Sequence, residues 1–194
     1  SKAATEHVAE AWTPLLARNK TACVVARAGN VIGGGDWSEY RLIPDIMRSI
    51  RSNEALNIRN PKSVRPWQHV IEPLAGYIIL AEQNSLSDIS AVNFGPSLED
   101  CWPVSNLVQV FAECWGNKLR LEVPIDEGGD LHEAKILILD SLYAKQIMGW
   151  SPKLTISDAL KATIDWYKLY LSGTHEEDLR ALMIHQINTL GWGS

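Results

Sequence analysis

Cysteine is scarce in this chain, and the few present form no pattern. Cys23, Cys101 and Cys114 are the only three in 194 residues, and none stands in a Cys-x-x-Cys spacing. An odd, unpatterned set argues against a disulfide framework and against a thiolate zinc site. Free thiols in a reducing, cytoplasmic compartment are the expectation. The five histidines are dispersed as well, so no metal site is expected. No apolar run approaches the roughly 18–20 residues that cross a bilayer, so no membrane partner is expected. No basic segment followed by an apolar stretch opens the chain, and nothing in it suggests secretion. Internal repeats and low-complexity linkers are missing too.

What remains has the composition of an ordinary globular protein, 46 % apolar and 21 % charged. The eight tryptophans are costly to leave exposed, so several should line the core or a pocket. Charge is unevenly placed. Seven of the nine arginines fall between positions 18 and 65, where nine basic residues meet four acids, a local excess of +5 in a chain of net −5. Domains that bind long nucleic acid are usually basic throughout. A local excess points to a small anionic ligand, unless the arginines are only a scatter of solvated surface residues.

Val8, Ala11, Trp12 and Leu15 have helical spacing from the first residues, as if the chain started inside an element. A β-branched run, 21 to 28, reads as a buried strand in a parallel sheet. It leads into Gly29-Asn30-Val31-Ile32-Gly33-Gly34-Gly35-Asp36-Trp37. That stretch is either a ligand-contacting loop at a strand's carboxyl end or a plain glycine turn. Further helices are expected from Pro44 to about Ser52, from Pro73 to about Gln83, and over 104–115, 140–148, 156–167 and 176–188. Short strands are expected at 55–58, 64–70, 91–94, 118–123 and 135–139. Strands alternating with helices give an α/β class with an incomplete parallel sheet and a small α+β lobe. The acidic pairs Glu99-Asp100 and Asp126-Glu127 read as solvated turn charges. His69 reads as structural, and Trp67 and Trp37 as core or pocket wall.

Four stretches together carry a resemblance: Arg27 through Trp37, Arg41-Leu42-Ile43-Pro44-Asp45, Val64-Arg65-Pro66-Trp67-Gln68-His69-Val70, and Asn93-Phe94-Gly95-Pro96 with Leu139-Asp140, Ala144-Lys145 and Gly149-Trp150 beyond. The chain resembles the extended short-chain dehydrogenase/reductase family over nearly all of residues 1–172, and most of all its CDP-glucose 4,6-dehydratase branch. The resemblance implies a C-terminal portion of an extended Rossmann-type enzyme. Residues 1–40 would be a remnant of the NAD-binding domain, and 41–194 mainly a substrate-binding lobe.

It further implies that Lys2 is the catalytic lysine of a Tyr-x-x-x-Lys pair whose tyrosine the sequence does not contain, and that Lys2, Ala28 and Gly29 lie at the NAD. Asn30, Leu42, Ile43, Asn57, Ile58, Arg59, Arg65 and His132 would contact the nucleotide sugar. The sequence holds neither the glycine fingerprint for NAD nor the tyrosine. The family reaction oxidises the sugar at C4, eliminates water across C5–C6 and returns the hydride to C6, supplying deoxysugars for surface polysaccharides. The expectation is that this chain alone is inactive and that it assembles as a homo-oligomer. Alternatives are a non-catalytic nucleotide-sugar-binding or interaction module and an epimerase or reductase of the same superfamily.

Overall fold

A computed structural model describes residues 2–83, 89–116, 121, 122 and 134–189. Helix α1 (Lys2–Arg18) buries none of its residues, and the stripe of Val8, Trp12 and Leu15 stays exposed. Glu6 ties the helix to the next strand through a two-point ion pair with Arg27, Nη2 to Oε2 at 2.6 Å and Nε to Oε1 at 2.9 Å. That strand, β1 (Val25–Ala28), is shorter than the expected 21–28 and is not a buried interior strand: Arg27 is exposed and its neighbours half-buried. Its described partner is Ala91–Phe94 alone, and a two-stranded parallel sheet lacks the layers that bury such strands.

At Gly29 the chain changes sheets. The first half of the expected loop is a strand, β2 (Asn30–Ile32), running parallel to residues 67–69. Helix α2 (Leu42–Ser52) starts before Pro44, which sits in the first turn where its missing N–H costs nothing. Strands β3 (Leu56–Asn57) and β4 (Val64–His69), in different sheets, follow, then α3 (Ile71–Ala81) and β5 (Ala91–Phe94). Strand β6 (Cys101–Pro103) was not expected. It pairs antiparallel with β4 and makes β4 the centre of a three-stranded sheet, β2-β4-β6. Helix α4 (Val104–Trp115) stops at Gly116 in the left-handed region, φ 105°. Strand β7 (Leu121–Glu122) pairs parallel with β3. The expected strand at 135–139 reduces to one bridge, Ile136 to Val64.

Helix α5 (Leu142–Met148) starts with Leu142 N–H donating to Asp140 Oδ1 at 2.9 Å. Helix α6 (Ile156–Leu171) opens on a capping box, Thr155 with Asp158, and α7 (Glu176–Thr189) ends the described chain. Asp100 corrects an expectation. Rather than a solvated turn charge, it is buried and accepts from Ile156 N–H at 2.8 Å, an added anion at the start of α6. Burial pushes its carboxyl up, helped by nearby Glu99 and Asp158 and opposed by that hydrogen bond.

The main core packs Ile46 and Met47 of α2, Leu107 and Phe111 of α4, and Leu160, Ile164 and Tyr167 of α6 around Trp67 of β4. A second core gathers Val92 and Phe94 with Leu80, Ala144 and Trp150. Glu72, fully buried in α3, braces the turn after α5: its Oε1 accepts from Lys153 N–H at 2.9 Å and Leu154 N–H at 2.7 Å, and its carbonyl from Trp150 Nε1 at 3.1 Å.

Candidate functional site

Arg65 lies in β4, and only 6 % of it is exposed, so it is not one of a scatter of surface arginines. A guanidinium withdrawn this far from water needs partners; its Nη1 donates to Val64 O at 2.8 Å. Register fixes its company. Asn30 on β2 stands beside Trp67, and Trp102 on β6 stands beside Arg65. Because side chains alternate along a strand, Asn30, Arg65, Trp67 and Trp102 share one face of the sheet. Trp67 belongs to the core there, with Nε1 donating to Trp102 O at 3.0 Å.

The opposite face carries Gln68, whose Nε2 donates to Phe94 O at 2.8 Å and links the two sheets. His69 is buried, and that burial lowers its pKa to about 4. Its Nδ1 accepts from Ile71 N–H at 3.4 Å, a contact made by the unprotonated nitrogen of the ring.

The glycines owe their place to the protein's own packing. A Cβ at Gly29 would lie 2.5 Å from Pro66 O, one at Gly33 2.9 Å from Val70 Cγ1, and one at Gly34 2.1 Å from Trp166 Cγ. The space expected to admit a ligand is filled at these three positions. Beyond them the loop is strongly tied. Tyr167 Oη donates to Asp36 O at 2.5 Å, and Trp37 packs edge-on against Tyr167 at 5.3 Å. Partial burial pushes the Asp36 carboxyl up, yet the Ser38 backbone and side chain and Arg41 outweigh it and hold the group below its ordinary range.

Helix α2 begins where this loop ends. Arg41 occupies its N-cap in extended conformation and no side chain caps it, so the first-turn N–H groups of Leu42 and Ile43 point out of the helix end. The Ile43 side chain itself is core. Ile58 is core as well, which removes its side chain from any pocket and leaves Asn57 and Arg59 exposed on either side of it. Arg59 lies over the ring of Tyr40, 5.8 Å from its centroid, which brings 57–59 up to the end of the glycine loop. Tyr40 had no signal in the sequence: it belongs to no periodic pattern and sits between two charges. His132, with Glu133, Asp126 and Glu127, lies outside the described residues.

The arginine excess is partly spent within the chain. Arg27 pairs with Glu6, Arg41 with Asp36 at 3.3 Å and Arg48 with Asp45, while Arg51 lies over Trp37 at 5.6 Å. Lys2 is exposed at the start of α1. Glu6, one turn on and on the same helix face, holds Arg27, the residue before Ala28. Among the described residues no group of three or more His, Cys, Asp or Glu could hold a metal ion. No helix among them is long and apolar enough to cross a membrane.

Comparison with known proteins decides the relationship. Over 150 residues, 76 % of this chain, the sequence is 42 % identical to CDP-glucose 4,6-dehydratase of Salmonella typhimurium. The chain is related to the CDP-glucose 4,6-dehydratases. It spans 41 % of that dehydratase's length. No family model matches the chain.

Solved structures share the fold. UDP-glucuronic acid 4-epimerase of Bacillus cereus, in complex with UDP-glucuronic acid and NAD, superposes with a TM-score of 0.70 at 16 % identity over 85 % of this chain and 50 % of its own. The dTDP-glucose 4,6-dehydratase of Bacillus anthracis, in complex with NAD, gives 0.65 at 17 % over 91 % and 52 %. The α/β architecture is thus that of about half of a Rossmann-type dehydratase or epimerase.

Proposed function

We propose that this chain carries the nucleotide-sugar-binding portion of a CDP-glucose 4,6-dehydratase-like enzyme, with residues 1–40 contributing to a cofactor domain and 41–194 forming mainly the substrate lobe. The observation that carries the reading is Arg65: a buried guanidinium on a sheet face shared with Asn30, in a chain related to an enzyme named for a sugar diphosphonucleoside. Its planar fork suits the oxygens of a diphosphate. The first-turn N–H groups of Leu42 and Ile43 supply the positive end of a helix dipole for the same group. Asn30 hydrogen-bonds the diphosphate or sugar.

Catalysis of 4,6-dehydration needs a hydride carrier and a proton-transferring tyrosine beside Lys2. The sequence contains neither the NAD fingerprint nor a Tyr-x-x-x-Lys pair. The chain by itself therefore binds without turning over. The test is to incubate the purified chain with CDP-glucose and NAD and assay for a 4-keto sugar nucleotide. The expected outcome is no product; turnover at an ordinary enzyme rate of about 1 s⁻¹ or more overturns the reading.

A further inference from the structure

We propose that Arg48 is a positioning residue for the diphosphate: it holds the turn that leads into α2 and offsets the charge of Asp45, so that the open end of the helix can receive an anion. The proposal rests on the reading above and adds to it what prepares that helix end before a ligand arrives.

The donors at this end are few. Pro44 has no N–H, and Asp45 N–H donates to Arg41 O at 2.9 Å, so the first turn offers the N–H groups of Leu42 and Ile43. Where they point depends on the turn before them. The chain enters α2 through Tyr40, held in the left-handed region at φ 61°, a conformation that persists in an ordinary residue only where its surroundings impose it. Arg48, in the second turn of α2, supplies part of that constraint. Its Nη1 donates to Trp37 O and its Nη2 to Ser38 O, each at 3.2 Å. The rigid fork of a guanidinium suits two acceptors at once, which a lysine ammonium meets only as a point charge. Asp36 closes the same turn from within, accepting from Ser38 N–H at 2.9 Å.

The guanidinium also pairs with Asp45, one turn earlier in the helix. Asp45 is the acid of the first turn. A carboxylate there suits the helix dipole, and for that reason it competes with any anion brought to the same end. The charge of Arg48 offsets it. One side chain therefore fixes the direction of the two donors and lowers the repulsion that a diphosphate would meet beside them.

The experiment is calorimetry of the 194-residue chain with inorganic pyrophosphate, for Arg48→Gln alone and combined with Asp45→Asn, each shown by circular dichroism to be folded. Arg48→Gln should weaken pyrophosphate about tenfold. Asp45→Asn should then recover about fivefold in the Arg48→Gln background and less in the natural chain, a coupling that a lost fold contact alone does not produce. Arg48→Lys keeps a charge beside Asp45 but loses the fork on the two carbonyls. Its affinity should fall between the natural chain and Arg48→Gln, and it carries the comparison if Arg48→Gln does not fold. Unchanged pyrophosphate affinity in the folded Arg48 variants overturns the proposal and leaves the diphosphate reading standing. So does an Asp45→Asn effect of the same size in both backgrounds, because Arg48 would then serve the fold alone. If the unaltered chain does not bind pyrophosphate, the proposal and the reading beneath it both fall.

Discussion

Trp166 packs so closely on Gly34 that a Cβ there would come within 2.1 Å of the indole Cγ and 2.3 Å of Cδ2. The contact joins the loop after β2 to α6, elements more than 120 residues apart in sequence. Gly34→Ala should destabilise the chain by about 3 kcal/mol, at the high end for overpacking. Gly116→Ala meets no atom within 4 Å and should cost only the left-handed backbone penalty of about 1 kcal/mol. Urea denaturation measures both. In a Trp166→Leu background the Gly34→Ala penalty should shrink sharply, since the atoms it strikes are gone. An undiminished penalty would show that the loop backbone, and not the indole, demands glycine.

His69 gives the stability a pH dependence. The unfolded imidazole titrates near 6.5 and the folded one at about 4, because burial penalises its charge. Between those values the unfolded state binds more protons, so stability is fullest above pH 6.5 and falls as the pH drops towards 4. The whole window amounts to about 3 kcal/mol. Urea midpoints at pH 7 and pH 5 should therefore differ more for the natural chain than for His69→Gln, which has no imidazole to protonate. Equal differences would contradict the assignment.

Helix α1 presents Val8, Trp12 and Leu15 with 57 %, 56 % and 49 % of each exposed. Contiguous exposed apolar side chains mark interaction surfaces. A second copy of the chain is the proposed cover, and light scattering at micromolar concentration should give a mass well above the 21.6 kDa of one chain. Trp12→Glu should return the mass towards that value. A monomeric natural chain would count against homo-oligomer formation.

Much of the fold was legible because its signals are local. Helical spacing located α4 and α6, Gly116 and Gly149 marked the ends of α4 and α5, and the Ala91–Phe94 strand was bounded by Gly95-Pro96. The misses have one cause, which is that they depend on a distant partner. Strand β6 exists because β4 offers it an edge. Asp100 is buried because α6 begins against it. The need for glycine at positions 29 and 34 comes from Pro66 and Trp166, which only the fold brings there. The arginine excess points to an anionic ligand or to solvated surface charge, and ion pairs with Glu6, Asp36 and Asp45, invisible in the sequence, account for part of it. Arg65 stands out in its motif, but its burial in β4 was not legible there, and the guanidinium of Arg59 over the Tyr40 ring needed the fold.

The most direct test of the account is a calorimetric titration of the chain with CDP-glucose, run beside Arg65→Lys and Arg65→Ala proteins shown by circular dichroism to be folded. Charge-assisted hydrogen bonds to a phosphate contribute about 1.5–3 kcal/mol each. The account predicts saturable binding by the natural chain, weakened at least tenfold in Arg65→Ala and less in Arg65→Lys, which keeps the charge but loses the fork. No binding by the natural chain, or equal affinity in all three proteins, would contradict a sugar-nucleotide site built on Arg65.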